Sequence, residues 1–550
     1  MLDKLFINGE IYSMKKEGEK FQSLGIKDGK ITFLGTDEEA KNLSSKELIN
    51  LKGKMMIPGM ADAHLHLYAY CQNLTFVDLS KVHNINEMIN LMKEKIKNVK
   101  KGDWVKGVNF DQSKWKENRF PTLEEMDSIS KDNPIIIKRC CLHAVVANSK
   151  ALEMASIGKN YQAGSGGIVE LYKDGMPNGI LREQSTKVFD DILPDPLKNI
   201  EVQKRIMQDV LNDMSSKGIT TIHTYAAKIW QYNEDINIYK NFEKEGKLPL
   251  RVTVCIDELF EPEILTKEKL NNPYRKVQLG AYKIFSDGSM GSRSAALKEP
   301  YSDDPKNSGF MLFTQEELNN KILTGYEHGL QPAIHAIGDR ALDMTLSAIE
   351  YTLKTTKEKG MTDEEQKKRL PFRIIHVQMI DDDLLERMKK LPLVLDIQPI
   401  FLCTDLHWIE DRIGKERLKG SFALKTMEKA GLIQTGGSDC PVETYEPLKG
   451  IYAAVTRQDM EGYPTEGFLP EERLSVYEAL CMYTKNVPYA TGQESVLGTL
   501  EIGKFADLTV LEKNLFKIDK KEIKDVKVEQ TYVAGNCVFM IKSRVCQFKN

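Results

Sequence analysis

The sequence predicts an α/β protein, a (β/α)8 TIM barrel with a small β-sandwich domain formed by the N- and C-terminal segments. Runs of β-prone residues alternate with helical stretches through the middle of the chain, which is the pattern of a parallel α/β fold. The two ends carry short β-like runs, and neither end is long enough to form a core alone. We therefore expect residues 1–57 and 491–550 to fold together as the sandwich, and residues 58–490 to form the barrel.

Turn signals support the terminal sandwich. Asp28 and Gly29 lie between two β-prone runs, which is a common hairpin signature. Residues 506–511 and 530–539 near the other end show the same kind of β-prone pattern. One domain built from both ends would also bring the termini close together, as is common in proteins.

Eight β-like runs follow one another in the central region, the number that a closed barrel requires. They are residues 57–66, 218–223, 250–254, 280–285, 332–335, 373–377, 393–397 and 433–439. The long interval at about 67–216 contains a further β-like run at 134–138. We interpret this interval as an insertion that bears its own small sheet and helps to shape a substrate pocket.

Composition narrows the class of protein. The 550 residues carry a formal net charge of −3, which gives no reason to expect a nucleic-acid partner. No apolar run is long enough to cross a membrane, and the first residues are too short and polar a stretch for a signal peptide. The nine cysteines are scattered without a CxxC pair, which favours a reduced, cytoplasmic protein. We expect a small-molecule substrate and a homodimer.

The segment PGMADAHLH at residues 58–66 is the most informative part of the chain. Side chains alternate along a strand, so His64 and His66 point to the same side and can reach one metal ion. Four further polar residues, Lys283, His335, His376 and Asp439, stand at the carboxyl ends of predicted strands. Barrel enzymes build their active sites at that end, so we expect these six side chains to converge.

These segments resemble the amidohydrolase superfamily of metal-dependent hydrolases, and within it the branch that includes the N-substituted formamide deformylases and the YtcJ-like amidohydrolases. The resemblance spans nearly the whole chain with its motifs in order. It is carried by PGMADAHLH at 58–66, KIFSDGSMGSRSAAL at 283–297, HAIGD at 335–339, His376, GSD at 437–439 and GKFADL at 503–508. The resemblance implies a (β/α)8 barrel with a β-sandwich made from both ends.

Imidazole and carboxylate ligands suit Zn²⁺ and similar divalent ions. His64, His66 and Asp439 would hold one ion, with His335 and His376 around a second position or the substrate. A bound metal lowers the pKa of its water toward ~7 and polarises a carbonyl. Asp439 is the expected general base, taking a proton from the attacking water and passing it to the leaving nitrogen.

Lys283 needs a separate explanation, because an ammonium group has no lone pair for a metal. Members of the superfamily often carry a lysine on strand 4 that reacts with carbon dioxide to give a carbamate bridging two metals. The resemblance therefore implies a carboxylated Lys283. The alternative is a lysine that holds the Asp287 loop by an ion pair beside a single metal.

Other candidates stay more open. Arg293 could hold a carboxylate or oxyanion of the substrate, with Asp287 in the same glycine-rich loop, or the loop could be only a structural turn. His143 lies in a family-like segment of the insertion and either faces the pocket or has a structural role. Glu183 matches a family-like segment but fits helix capping better, and His223 could point into the barrel mouth from the end of strand 2.

The sequence therefore predicts a metal-dependent hydrolase that cleaves a non-peptide C–N bond, such as an amide or an N-substituted formamide. A mononuclear deaminase of the same superfamily is the alternative, although it would not need Lys283. A serine hydrolase is disfavoured because no G-x-S-x-G elbow is present. A non-catalytic scaffold is disfavoured because every ligand position holds a competent residue.

Overall fold

The computed structural model describes residues 1–139, 144–164, 167–189, 192–226, 229–257, 272 and 274–541. The chain divides into two compact units. The first comprises Met1–Leu67 and Gln208–Asn550, and the second is Tyr68–Met207.

The first unit contains the predicted barrel sheet of eight strands, each paired in parallel with its neighbour in chain order. The strands, β1 to β8, are Met60–Leu65, Ile219–Ala226, Arg251–Asp257, Val277–Phe285, Pro332–Ala336, Phe372–His376, Leu393–Ile397 and Ile433–Gly436. The predicted number of eight barrel strands is therefore confirmed, although the bounds of the first one differ. Side chains of the inner strands, such as Tyr225, Ala281 and Ile375, pack together inside the sheet.

The predicted run at 57–66 is wrong as a single strand. It is two strands, Met55–Pro58 in the sandwich and β1 in the barrel, separated at Gly59. A Cβ atom on Gly59 would lie 2.2 Å from the Thr220 hydroxyl, so only glycine fits where the chain passes from one sheet to the other.

Strands β1 and β8 meet just beyond their carboxyl ends, which closes the sheet there. The Asp439 amide donates to the His64 carbonyl at 2.7 Å, and the His66 amide donates to the Cys440 carbonyl at 2.7 Å. A Cβ atom on Gly437 would lie 2.8 Å from the backbone nitrogen of His64, so a glycine is needed for this close approach. The closure therefore brings the predicted ligands of β1 next to the predicted ligand after β8.

Helices follow the barrel strands. The longer ones in this unit are Ile229–Lys244, Gln315–Glu327, Asp339–Glu358, Asp382–Met388, Pro447–Thr456 and Val476–Tyr483. The helix Ile200–Ser216, which belongs to this unit from Gln208 onward, precedes β2. Local sequence explains several starts. Thr314 and Ser475 each form a capping box with the glutamate three residues later, which satisfies the first free amides of the helix.

Both ends of the chain build the β-sandwich, as predicted. One sheet has the order Lys30–Gly35, Ser23–Lys27, Leu2–Ile7, Ser45–Asn50, and the other has the order Asn536–Met540, Val528–Val533, Leu508–Leu511, Met55–Pro58, Glu10–Tyr12, Lys20–Phe21. The predicted hairpin at Asp28 and Gly29 joins two antiparallel strands of the first sheet. Buried Phe6, Leu508 and Tyr532 share one core, so residues from the two ends pack against each other.

The second unit contains a mixed six-stranded sheet. Its strands in spatial order are Gly167–Leu171, Pro177–Glu183, Ala144–Ala147, Ile135–Arg139, Val105–Phe110 and Val77–Asp78. The helix Ile85–Ile96 packs Met88 and Met92 into the core on one side of this sheet, beside Phe110 and Ile137. The run predicted at 134–138 is one of these strands.

None of the helices in the described parts of the chain is long and apolar enough to cross a membrane.

Candidate metal centre

The His64–His66 segment ends strand β1 and is fixed by a carboxylate two residues before it. Asp62 Oδ1 accepts hydrogen bonds from the His64 amide at 3.0 Å and the Ser438 amide at 3.1 Å. Because Ser438 immediately precedes Asp439, the buried Asp62 ties both halves of the predicted ligand set together. Sequence reasoning did not single out Asp62, although it lies within the motif.

The imidazoles of His64 and His66 converge on Asp439. Each Nε2 atom lies 3.3 Å from Asp439 Oδ1, and the three ligand atoms lie within 4.8 Å of one another. Two ligand atoms held tetrahedrally at about 2.1 Å from one zinc ion would be about 3.4 Å apart. The donor set and its spacing therefore fit one divalent ion.

The protonation state of this group also suits a metal, which needs neutral imidazole and ionised carboxylate. Burial lowers the pKa of His64 well below its usual value, and the nearby Lys283 adds to the effect. Burial alone would raise the pKa of Asp439, but its contacts with His64 and His66 outweigh burial and hold the pKa well below its usual range. His64 is thus neutral and Asp439 ionised near neutral pH, which are the charge states that metal binding requires.

Lys283 lies beside this group. Its side chain is fully buried, two residues before the end of strand β4, and Nζ lies 3.0 Å from His64 Nε2. The Phe285 and Tyr225 rings flank it, with centroids 4.5 and 5.1 Å from Nζ. The predicted neighbourhood of Lys283 and the histidine pair is therefore present.

His335 and His376 stand at the ends of the next two strands. Their ring centroids lie 4.5 Å apart, and the His376 ring lies 5.8 Å from the His64 ring. Burial lowers the pKa of His376 well below its usual value, with His335 next in effect, so the His376 imidazole is neutral. The two rings therefore lie next to the His64 cluster without belonging to its three-atom group.

A model of the amidohydrolase family matches residues 47–539, nearly the whole chain. This chain belongs to the amidohydrolase family.

Relatives agree with this assignment along their full length. The chain is 33% identical to the Bacillus subtilis protein YtcJ, covering 96% of this chain and 98% of that one. It is 26% identical to the N-substituted formamide deformylase of Arthrobacter pascens, covering 97% and 98% of the two chains. Both relatives belong to the branch that the sequence motifs indicated.

Solved structures confirm the fold. A metal-dependent hydrolase from Pyrococcus horikoshii OT3 superposes with a TM-score of 0.75 at 30% identity, covering 94% of this chain and 99% of that one. A second, from Pyrococcus furiosus, gives a TM-score of 0.73 at 29% identity, covering 94% and 100%. The family is one of metal-dependent hydrolases, and the barrel with its additional β domain is shared.

The loop after Lys283 is held by hydrogen bonds that Asp287 accepts from backbone amides, two of which follow strand β5. The Asp287 carboxylate accepts hydrogen bonds from the amides of Ala296, Ile337 and Gly338 at 2.9, 3.1 and 2.9 Å. Asp287 Oδ1 also lies 3.3 Å from His335 Nε2. These contacts give Asp287 a clear role in fixing the loop, and its substrate contact stays a prediction.

Arg293 lies in the same loop, and its guanidinium group forms an ion pair with Asp303. Its Nε and Nη2 donate to the two carboxylate oxygens of Asp303 at 3.0 and 2.8 Å. About a third of its side chain remains exposed. A role of Arg293 in binding substrate stays a prediction. The other predicted substrate contact, His143, lies outside the residues that the structure describes.

His223 does not end its strand, contrary to the sequence interpretation, because β2 continues to Ala226. It is fully buried, and its Nδ1 lies 3.2 Å from Arg373 Nη2. Arg373 on β6 pairs with Asp396 on β7 at 2.7 Å and also donates to the Ala63 carbonyl at 2.9 Å. Sequence reasoning missed this pair; the only signal was a charged residue within each of two apolar strands.

Proposed function

We propose that this amidohydrolase cleaves the C–N bond of a non-peptide amide of the N-substituted formamide class. One observation carries the proposal. His64, His66 and Asp439 bring three possible metal-ligand atoms within 4.8 Å of one another, with a buried lysine nitrogen 3.0 Å from His64 Nε2.

Zn²⁺ is the ion we propose, as one or two ions, since histidine and carboxylate ligands suit it, although other divalent metals share this preference. When bound, such an ion activates a water molecule and polarises the substrate carbonyl. His64, His66 and Asp439 would hold the first ion. His335 and His376 would contribute to a second position beside it.

Lys283 would serve as a ligand after reaction with carbon dioxide. Its neutral Nζ would attack the carbon of CO₂, forming an N–C bond as one C=O π bond breaks and its electron pair passes to oxygen. A proton would then leave the nitrogen for water, so that the side chain would end in a carbamate anion. The cationic ammonium cannot serve in this way, because it has no lone pair. The position of Lys283 beside His64 supports this proposal and disfavours the mononuclear deaminase.

Asp439 would act as the general base. Oδ1 lies 3.3 Å from Nε2 of each of the two imidazoles. We assign Oδ2 to accept the proton of the attacking water and return it to the leaving nitrogen. Protonation of that nitrogen lets the amine depart as the C–N bond breaks.

The substrate class rests on relatives of matching length, one of them named as an N-substituted formamide deformylase. The test is a substrate panel with metal-loaded enzyme, measuring formate and amine released from N-substituted formamides against acetamides, dipeptides and aromatic amines. Formate and amine in equal amounts would support the proposal. Ammonia released from an aromatic amine, with formamides inert, would replace it with the deaminase.

A matched variant separates the site from contaminating activity. Asp459 is a buried carboxylate that contacts His407 at 3.0 Å, so it repeats the Asp–His pairing elsewhere in the fold. Asp459→Asn is expected to keep formamide hydrolysis, whereas Asp439→Asn is expected to lose it. Unchanged activity in Asp439→Asn would show that the measured activity does not depend on the His64 cluster.

A further inference from the structure

His376 is held at the end of β6 in a defined orientation. The residue is buried and has a left-handed backbone, with φ of 78°. Its ring lies nearly parallel to that of Phe401, with centroids 5.9 Å apart and an interplanar angle of 19°. The position of the ring is thus fixed by packing, but packing does not decide which ring nitrogen carries the proton.

Gln398, the residue that follows β7, contacts one of those nitrogens. Its Oε1 lies 2.7 Å from His376 Nδ1, and both residues are buried. On its other side, Gln398 Nε2 donates to the Asp396 carbonyl at 3.0 Å.

This second hydrogen bond fixes which way the amide points. If the amide were reversed, Oε1 would face the Asp396 carbonyl, and two acceptors would meet without a proton between them. Gln398 must therefore present its oxygen to His376. A carboxamide oxygen only accepts, so His376 Nδ1 must be the protonated nitrogen.

We infer that Gln398 is a positioning residue that holds neutral His376 as the Nδ1–H tautomer and leaves the Nε2 lone pair free for a ligand. A hydrogen bond to one ring nitrogen commonly sets the nitrogen that a histidine offers to a metal. Gln398 acts through His376, which it contacts at Nδ1.

His335 is set in the opposite way. Its Nε2 lies 3.1 Å from the Gly288 carbonyl and 3.3 Å from Asp287 Oδ1, both of which accept. Nε2 therefore carries a proton, and the buried Nδ1 has no hydrogen-bond partner among the residues that the structure describes. The two neighbouring rings offer different nitrogens, so each needs its own acceptor to set it.

The tautomer follows from the hydrogen bonds alone, while the use of the free Nε2 by a metal ion rests on the proposed function. The first experiment is therefore done on metal-free protein. Histidine labelled with ¹⁵N is observed by long-range ¹H–¹⁵N correlation, and His376 is assigned from the signals lost in His376→Gln. We expect the proton on Nδ1 in the wild-type chain, and a proton on Nε2 would overturn the inference.

Variants test whether Gln398 is responsible. Gln398→Met removes the acceptor at similar volume and is expected to move the His376 signals toward the Nε2–H form. Gln398→Glu keeps an acceptor and should preserve Nδ1–H. Gln434→Met is the matched control, because Gln434 is buried and donates to the Leu424 carbonyl without touching a histidine in the described contacts.

Unchanged His376 signals in Gln398→Met would refute the role of Gln398. If that variant does not fold, the wild-type spectrum and Gln398→Glu still decide the tautomer. Metal titration then tests the last step separately. We expect Gln398→Met to weaken binding of Zn²⁺ by about 10- to 100-fold, the usual effect of losing such a support. If the wild type shows the Nδ1–H tautomer but Gln398→Met binds Zn²⁺ as tightly as the wild type, the metal does not use His376 Nε2, and that step is overturned.

Discussion

The barrel contains two buried carboxylates that are balanced in different ways. Asp396 on β7 lies 2.7 Å from Arg373, which supplies a full positive charge from within the chain. Asp439 after β8 instead faces two imidazoles at 3.3 Å, and the burial of His64 keeps that ring neutral. The charge of Asp396 is therefore balanced within the chain, whereas the second cluster groups three possible metal ligands around a carboxylate that has no cationic side chain in this group.

This difference separates a structural site from a metal site. A buried charge needs a partner, because leaving water is costly. Arginine supplies that partner for Asp396, and a divalent cation would supply it for Asp439.

The largest effect is expected for Asp439→Asn. The amide oxygen can still face a metal, but the side chain can no longer take a proton from water. We expect kcat to fall by at least about 10²-fold, the usual scale for general acid–base catalysis, with metal content retained. Steady-state kinetics on metal-quantified protein measures this, and near-full activity would remove Asp439 from the role of base.

Removing the arginine tests the structural side. Arg373→Met leaves Asp396 buried without its cation, and we expect the free energy of unfolding to fall by about 3–5 kcal/mol in urea titrations. The double variant Arg373→Met/Asp396→Leu removes both charges and should regain much of that loss. A single variant as stable as the wild type would show that the pair is not needed to balance Asp396.

A smaller effect is expected for Lys283→Ala, which removes the proposed carbamate and with it one bridging ligand. We expect bound metal to fall from two equivalents toward one, measured by elemental mass spectrometry. Lys276→Ala is the control, because Lys276 precedes the same strand and donates to the Leu248 carbonyl. Unchanged metal content in Lys283→Ala would favour a mononuclear site.

The smallest effect is expected at Glu443, whose carboxyl group should make the stability of the fold depend on pH. Burial raises the pKa of Glu443 to about 7, partly offset by a hydrogen bond from Thr404. The folded chain therefore holds a proton that the unfolded chain releases near pH 4.5, and stability falls as pH rises from about 4.5 to about 7.

Glu443→Gln should remove this loss and leave the variant about 1 kcal/mol more stable than wild type at pH 8, since the side chain is partly exposed. Unfolding in urea at pH 5 and pH 8 measures the difference. Glu446→Gln, three residues away and paired with Lys449, should not change the pH profile. Parallel profiles for Glu443→Gln and wild type would contradict the raised pKa.

The barrel was predictable because each strand is a local apolar pattern with polar residues at its end. The His64–His66 pair was predictable for the same reason, since alternation along one strand places both rings on one side. Its approach to Asp439 depends on the meeting of β1 and β8, which the order of strands in a closed barrel already implies.

Contacts between distant side chains could not be predicted in this way. The pairing of Arg373 with Asp396, and of Gln398 with His376, depends on the register of neighbouring strands, and one sequence does not reveal register. The ion pair between Arg293 and Asp303 could not be predicted either, because it depends on how the loop folds back on itself. The sequence showed which residue types were present but not which of their hydrogen bonds were already made.

The central claim is that His64, His66 and Asp439 hold a metal ion. The most direct test is metal content per chain by elemental mass spectrometry, on protein purified without chelators or added metal, compared with a His64→Asn/His66→Asn variant. We predict one or two equivalents of a divalent metal in the wild type and a loss of at least one equivalent in the variant. A metal-free wild type, even after reconstitution with Zn²⁺, would contradict it.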